Sequence, residues 1–595
     1  MNKLDILSSY FGFNSFRANQ EEAIDAILNG QDLLMILPTG GGKSLCYQLP
    51  TLLLDGVTIV ISPLIALMHD QVVALKARGI KAQMISSMQS LEEIREIEQE
   101  LLGAKIKMLY VAPERLTNEH FLNLLKRVNI NYFVIDEAHC LSEWGHEFRE
   151  DYRKLTLLKS QFPNKSIAAF TATATKEVER DILNNLNLNR PLVLRAPLFR
   201  DNLNINIEYR VKDGKKQLLE FLRSYKDESG IIYTQSRKST ESIAKFLQSK
   251  GFLAKAYHAR LSPEEKNLAF SEFVEDKINI IVATIAFGMG IDKSNIRYVV
   301  HLNLPKSVEN YYQEMGRAGR DGLSSTTLLL YGVQDIITQK RFIEDLPDSN
   351  YKIHAFDKLE NFVRLVKSQE CRHKEIAKYF GDSIEPCKSL CDNCLDVDGV
   401  RVDITKEAQM FLSAMYRTDQ RFGLHYIVSI LKGSKEQRVL QNAHDKLSVY
   451  NIGEHLTKEQ WLSIADRLIE IGAILVGEFK VYNITNIGLE ILKGKRELEI
   501  DERRLVIREV KTKKESFDTS EYNKDIFESL RKLRKEISQN EGVPPYIVFS
   551  DKTLKEMSIA LPKTKDQMLK VNGIGEIKFK RYGEEFLELL NSFID

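Results

Sequence analysis

The chain has 595 residues, too many for one hydrophobic core, so about three to five domains are expected. Its 43% hydrophobic and 28% charged residues are those of folded globular protein and exclude a largely disordered or fibrous chain. With 84 Lys+Arg against 83 Asp+Glu the net charge is +1, which excludes recognition of nucleic acid by bulk charge and leaves it to local sites.

The first residues, Met1-Asn2-Lys3-Leu4-Asp5, lack the charged-then-apolar pattern of a secretion signal. No apolar run nears the ~20 residues that span a bilayer, so a cytoplasmic protein without membrane contact is expected. Short apolar segments, several of them β-branched, recur at 33–37, 57–61, 106–111, 131–135 and 167–170, with helical-period stretches between them. That alternation predicts a parallel α/β sheet. The rhythm restarts after residue 200 with strands at Ile231-Ile232-Tyr233, Ile278–Ala283 and Val299–His301, which predicts a second α/β lobe. From 341 to 400 the pattern turns helical and ends in a cysteine cluster; from 401 to 500 amphipathic helices lead to an alternation over Ile474–Ile484, broken at Gly477, that predicts a hairpin. Residues 501–516 carry ten charges in sixteen positions with no apolar period and read as a linker. The remaining helical pattern is punctuated by Pro544-Pro545 and by Gly573 and Gly575. The expected boundaries are 1–200, 201–340, 341–400, 401–500, a linker at 501–518, and 519–595.

Pro38-Thr39-Gly40-Gly41-Gly42-Lys43-Ser44 follows the strand Leu33–Leu37 and precedes a helical stretch. Glycines let backbone N–H groups converge on phosphate oxygens, and a helix N-terminus adds positive field. Lys43 is expected on the β/γ-phosphates and the Ser44 hydroxyl on Mg²⁺. The first glycine of the common phosphate-loop pattern is replaced by Leu37, as in the helicase variant of that loop. Asp136-Glu137-Ala138-His139 follows the predicted strand Asn131–Ile135; Asp136 is assigned to Mg²⁺ and Glu137 to the attacking water. Alone these four residues are also compatible with a charged turn, but together with the Lys43 loop they point to nucleotide hydrolysis. In Gln313-Glu314-Met315-Gly316-Arg317-Ala318-Gly319-Arg320, two arginines three apart are expected to share a helix face and point into a cleft between the lobes. Arg320 is the expected arginine finger, Arg317 its γ-phosphate-contacting neighbour, and Gln313 a further catalytic candidate.

With these motifs in hand, residues 1–595 resemble a full-length bacterial RecQ helicase in content and order. Tyr10-Phe11-Gly12-Phe13 through Phe16-Arg17-Ala18-Asn19-Gln20 resembles the family's adenine-recognition motif. The resemblance implies that Gln20 reads the adenine edge while Phe13 and Arg17 sandwich the ring; Phe16 reads as ordinary core. Ser62-Pro63-Leu64 with Gln71, Ala112-Pro113-Glu114-Arg115, Thr171-Ala172-Thr173-Ala174, and Thr284 with Phe287-Gly288-Met289-Gly290-Ile291-Asp292 match further family strings. These imply DNA-backbone contacts from Ser62 and Arg115, and nucleotide contacts from Gly290 and Asp292. Cys140-Leu141-Ser142-Glu143-Trp144-Gly145-His146-Glu147-Phe148-Arg149 resembles the family's aromatic-rich loop. Trp144 and Phe148 offer flat faces to exposed bases beside the cationic His146 and Arg149; a buried Trp–Phe pair is the other reading.

Cys371, Cys387, Cys391 and Cys394 are separated by fifteen, three and two residues. Four thiolates suit a closed, structural Zn²⁺ site, with His373 as a substitute ligand; Cys46 and Cys140 read as core or loop residues. Residues 401–490 resemble the family's winged helix, where Arg438, Lys446 and Ser448 are candidates for duplex phosphates and the hairpin at Glu478–Tyr482 for strand separation. The last segment resembles the helicase-and-ribonuclease-D C-terminal domain; Tyr546 with Lys565, Lys570 and Lys578 is a candidate single-strand contact, and Gly573-Ile574-Gly575 either a phosphate-binding turn or a helix cap.

The expected fold is therefore α/β, with two tandem RecA-like parallel-sheet lobes followed by a helical zinc-binding platform, a winged helix and a small helical domain. The expected function is ATP- and Mg²⁺-dependent unwinding of duplex and forked DNA, with 3′→5′ movement on single strands implied by the family. Single-stranded-DNA-binding protein is an expected partner and the bacterial nucleoid an expected place of work. The motor motifs do not select the sugar, so an RNA-dependent unwinding ATPase stays open, as does a strand-annealing scaffold that uses ATP as a switch.

Overall fold

Seven short segments pair side by side in one parallel sheet: β1 (Leu33–Ile36), β2 (Val57–Ile61), β3 (Ala82–Ile85), β4 (Met108–Val111), β5 (Ile130–Ile135), β6 (Ile167–Thr171) and β7 (Leu192–Arg195). The strand order is β3-β4-β2-β5-β6-β1-β7. A parallel sheet covered by helices on both faces buries every side chain of its inner strands, which is why β1, β2, β4 and β6 are buried throughout. Each such Leu, Ile, Val or Phe contributes about 1.5–3 kcal/mol by leaving water. Separate hydrophobic clusters line the two faces, one around Ile59 and Phe133, the other around Met35, Tyr110 and Phe170.

A second parallel sheet follows: β8 (Leu203–Tyr209), β9 (Ser229–Tyr233), β10 (Ala254–Tyr257), β11 (Ile280–Ala283), β12 (Ile296–His301) and β13 (Ser325–Tyr331), in the order β10-β11-β9-β12-β13-β8. The computed structural model describes residues 2–142, 149–287, 293–346, 349–395, 401–476, 482–502 and 522–593. Among them no helix is long and apolar enough to cross a membrane.

Two compact units emerge: Met1–Val363 with Cys371–Asp392 and Ser516–Asp595, and Arg364–Glu370 with Asn393–Glu515. In the second, the helices Thr405–Arg417, Leu424–Leu431 and Lys458–Glu470 close around the fully buried Trp461, whose indole N–H donates to Gly453 O at 2.8 Å. There β14 (Arg401–Asp403) pairs antiparallel with β17 (Glu499–Asp501), and β15 (Ile474–Val476) with β16 (Tyr482–Ile484) in the register Ile474↔Ile484. The expected hairpin is thus paired at its base, while most of its Glu478–Tyr482 tip and the greater part of the charged linker lie outside the described residues.

In the first unit, the helices Lys524–Glu541, Asp551–Ala560 and Glu584–Asn591 form a small core around Leu530, Phe549 and Phe586. This core packs against the start of the chain. Gly573 N donates to Gly12 O at 2.9 Å, and a Cβ at Gly12 would lie 2.7 Å from Gly573 C, so only glycine permits the approach. The Gly573-Ile574-Gly575 turn therefore directs its first N–H into the protein and not towards a phosphate.

In the two parallel sheets, five strands were not expected from the sequence: β3, β7, β8, β10 and β13. The first four are the two edges of each sheet. An edge strand meets water on one side, so its apolar run is diluted, as the half-exposed patterns of β3, β7 and β10 show. β13 opens with Ser325-Thr326-Thr327, which reads as a loop; its hydroxyls are satisfied internally, Thr327 Oγ1 donating to Asn204 O at 3.3 Å.

Candidate nucleotide site and metal centre

β1 lies between β6 and β7, and its C-terminal end runs into the phosphate loop. Gly40 and Gly42 adopt φ of +79° and +88°, and Gly42 caps the helix Lys43–Leu53. A Cβ at Gly41 would lie 2.7 Å from Leu37 Cγ, and one at Gly42 would overlap the Gln20 amide. Left-handed backbone and close packing together explain a run of three glycines. Lys43 Nζ is buried without a hydrogen-bond partner among the described residues. A buried ammonium in that state is poised for an anion, so the loop fits a nucleotide phosphate.

The carboxylates stand at the end of β5. Asp136 is buried, its N–H donating to Ile61 O at 2.9 Å and its carbonyl accepting from Tyr152 Oη at 2.9 Å. Glu137 is left-handed at φ +48°, and its N–H donates to Asp136 Oδ1 at 3.0 Å. Such a conformation in a non-glycine residue at a strand end turns the carboxylate sharply off the sheet. His139, quoted in the motif but given no role in the sequence reading, is the candidate that sequence reasoning missed. Its Nδ1 is 3.3 Å from Glu137 Oε2 and 3.0 Å from Thr171 Oγ1. The Thr171 hydroxyl donates to Thr173 O at 3.1 Å, so it accepts from Nδ1, which stands between the end of β6 and the Glu137 carboxylate. The only sequence signal was its spacing two residues after Glu137.

The second lobe reaches this site directly. Thr39 Oγ1 donates to Gly316 O at 3.1 Å, and a Cβ at Gly40 would lie 3.4 Å from Arg320 Cα. The expectation that Arg317 and Arg320 share a helix face is corrected: the helix Val308–Met315 stops at Gly316, and both arginines belong to the turns beyond it. Gly319, at φ +62°, makes those turns incompatible with a continuing helix. Arg317 is buried with its Nε unpartnered among the described residues and its charge beside Tyr233, while Arg320 and Gln313 are half-buried.

At the adenine motif, Arg17 Nη1 donates to Gly40 O at 2.9 Å and Gln20 Nε2 to Gly41 O at 3.1 Å, while Gln20 Oε1 accepts from Arg17 N at 2.9 Å. Both side chains thus brace the phosphate loop; Gln20 Nε2 also donates to Gly42 O at 3.5 Å, which leaves the buried amide one lone pair on Oε1. Phe13 is 39% exposed, leaving a face open, whereas Phe16 packs on the core. Gly290 and Asp292 lie outside the described residues.

The expected DNA contacts are less uniformly placed. Ser62 is 1% exposed at the end of the central strand β2, with no surface for a phosphate, which corrects that expectation. Arg115 lies 4.0 Å from Glu98 and over the Phe121 ring. Trp144, His146 and Phe148 lie outside the described residues, but the base of their loop is closed by Arg149 N donating to Cys140 O at 3.0 Å, and Arg149 Nη1 donates to Pro63 O at 2.9 Å. Lys446 and Ser448 are exposed, Tyr546 half-buried. Lys578 is corrected from a single-strand contact: it is half-buried with its Nζ donating to Val548 O at 3.0 Å, and desolvation lowers its pKa to about 7. Lys565 pairs with Glu576 at 2.9 Å.

Cys371, Cys387, Cys391 and Cys394 bring their Sγ atoms within 4.8 Å of one another. Tetrahedral Zn–S bonds of about 2.3 Å need sulfurs roughly 3.8 Å apart, so the set fits zinc. Hydrogen bonding from Cys391 holds the Cys371 thiol well below its ordinary range. His373 is not a ligand: its Nε2 lies 3.0 Å from Leu203 O and 3.2 Å from Leu390 O. Ile205 N donates to Leu390 O at 3.0 Å, so the cysteine loop covers the exposed edge of β8. Cys46 and Cys140 are fully buried and apart from the cluster. Cys387→Ser is expected to lower zinc affinity by more than about 100-fold and to lower the unfolding temperature. Metal content and a melting curve decide this, and unchanged values for both would remove zinc from the site.

Five family models match the chain in order: DEAD/DEAH box helicase at 17–181, helicase conserved C-terminal domain at 213–322, RecQ zinc-binding at 333–395, RQC domain at 399–508 and HRDC domain at 523–590. Curated relatives are similar along nearly the whole length. The "ATP-dependent DNA helicase RecQ" of Haemophilus influenzae is 41% identical over 99% of this chain and 95% of its own. Those of Pasteurella multocida (42%, 99% and 93%) and Bacillus subtilis (39%, 99% and 98%) stand close by.

Proposed function

Because this chain belongs to the RecQ family of ATP-dependent DNA helicases, we propose that ATP hydrolysis at the seam between its two lobes drives 3′→5′ movement along single-stranded DNA and opens the duplex ahead. It is an ATPase that acts on DNA; neither the RNA-dependent reading nor the scaffold reading is favoured by these relatives.

One observation carries the residue assignments: the phosphate loop of the first lobe touches the Gly316–Arg320 segment of the second, through Thr39 and Gly40. A nucleotide held there is read from both sides. Lys43 neutralises the β/γ-phosphates, and Ser44 with Asp136 would hold Mg²⁺, which when bound spreads the charge developing on the phosphate oxygens. Glu137, braced by His139, orients and deprotonates the attacking water. Arg320 meets the transition-state charge from the second lobe, and Arg317 offers its unpartnered Nε to the γ-phosphate side. Gln20, Arg17 and Phe13 take the base. A displaced strand re-anneals unless covered, so a single-stranded-DNA-binding protein is the proposed partner and the cytoplasmic nucleoid the proposed place of work.

A labelled forked duplex with either a 3′ or a 5′ overhang tests this. Unwinding should require ATP and a 3′ overhang, and single-stranded DNA should stimulate hydrolysis more than RNA. Unwinding from the 5′ overhang alone would reverse the polarity, and stronger stimulation by RNA would overturn the substrate.

A further inference from the structure

The segment that joins the two sheets, Ala196–Asn202, carries one deeply placed cation that the motor motifs do not use. Arg200 Nη1 donates to Gly316 O at 3.1 Å, and its Nη2 lies 2.8 Å from Ala318 O and 2.7 Å from Gly319 O. Three carbonyls within four residues thus converge on one guanidinium. Beside it, Asn202 Nδ2 donates to Gly319 O at 2.8 Å and to Leu323 O at 2.9 Å, and Asn202 Oδ1 accepts from Arg200 at 3.2 Å.

These carbonyls need such help for a physical reason. The helix Val308–Met315 has ended, so the following carbonyls have lost their ladder partners, and the left-handed Gly319 turns the chain away from any sheet. A planar fork of donors satisfies several at once, which an ammonium on a flexible stem does less well. A Cβ on Gly319 would lie 2.6 Å from Asn202 Nδ2, so turn and clamp are built to one another. Burial lowers the Arg200 guanidinium to about 10, which leaves it charged at neutral pH. Among the described residues its hydrogen bonds go to carbonyls and an amide and to no carboxylate. An ion so placed is a poor device for stability alone.

The clamped turn is the one that touches the phosphate loop. Gly316 O accepts from both Arg200 and Thr39, and Arg320, the next residue after the clamped carbonyls, packs on Gly40. We propose that Arg200, assisted by Asn202, is a positioning residue that holds the Gly316–Gly319 turn in the shape presenting Arg320 to the nucleotide phosphates. This rests on the reading of Arg320 as the finger.

The test is a double-mutant cycle on the full-length protein with saturating single-stranded DNA. Arg200→Lys keeps the charge but not the fork. It should lower kcat for ATP by about 10- to 100-fold, as a misplacement near 1 Å does, with KM for ATP and DNA affinity within about twofold of the parent protein. In an Arg320→Ala background the same substitution should lower kcat no further, because its route to catalysis is already gone. Equal fold-losses in both backgrounds would overturn the positioning role alone. Full turnover by Arg320→Ala would overturn the finger reading and the proposal with it. Asn202→Ala, which removes three hydrogen bonds and no charge, goes through the same cycle so that a poorly folded Arg200 variant leaves the question decidable. Losses from Asn202→Ala that persist in the Arg320→Ala background count against the proposal.

Discussion

Lys43→Ala lowers DNA-stimulated ATP turnover by about 10³-fold, ~4 kcal/mol, while single-stranded DNA still binds with near-parental affinity. The argument begins with the state of Nζ: it is buried and makes no hydrogen bond among the described residues. An amine without native partners contributes little to holding the fold, so its removal should leave the unfolding temperature almost unchanged. What is lost is the one point charge aimed at the phosphates from the first lobe. Removing a single preorganised donor to developing negative charge typically slows a reaction by 10²–10³-fold, and a full charge stands at the upper end. Filter binding or fluorescence anisotropy with labelled DNA, beside a steady-state ATPase assay, separates the two effects. Retained DNA-stimulated hydrolysis in this variant would remove the phosphate-site assignment.

Arg320→Ala is expected to lower kcat by about 10³- to 10⁵-fold, roughly 4–7 kcal/mol, the range of arginine fingers in phosphoryl transfer. KM for ATP should move far less. The guanidinium meets charge that develops on the γ-phosphoryl only as the bond to the leaving oxygen stretches, so its worth lies in the transition state. Geometry supports this side of the cleft: Arg320 lies against Gly40, and Thr39 is tied to Gly316, four residues before Arg320. A variant that turned over within tenfold of the parent would show that the second lobe closes the site without contributing charge to it. Together the two substitutions probe the same triphosphate from opposite lobes.

Much of the nucleotide site was readable because its chemistry is local. A phosphate loop needs glycines, a lysine and a hydroxyl within seven residues, and no other common use of the backbone calls for Gly40-Gly41-Gly42-Lys43-Ser44 after a strand. The same holds for the metal centre, where thiolate spacing alone names the four ligands that the fold brings within 4.8 Å. Reading failed where the deciding partner was remote. Ser62 looked like a phosphate contact, but the sheet leaves it only 1% exposed at the end of β2. Lys578 looked like a free cation, yet its Nζ is turned to the Val548 carbonyl. Arg317 and Arg320 looked like one helix face, because a spacing of three is helical only if the helix continues, and Gly316 ends it.

By itself the sequence determined the two-lobed α/β architecture and the candidate groups for phosphate, water and zinc, since each is set by residue types within a few positions of one another. Only the tertiary structure decided which carbonyls Arg200 gathers, which threonine braces His139, and that Thr39 meets Gly316 across 277 residues of chain. A hydrogen bond of that span depends on how two sheets pack, and packing is a property of all the buried surfaces at once, which no short stretch of residues carries.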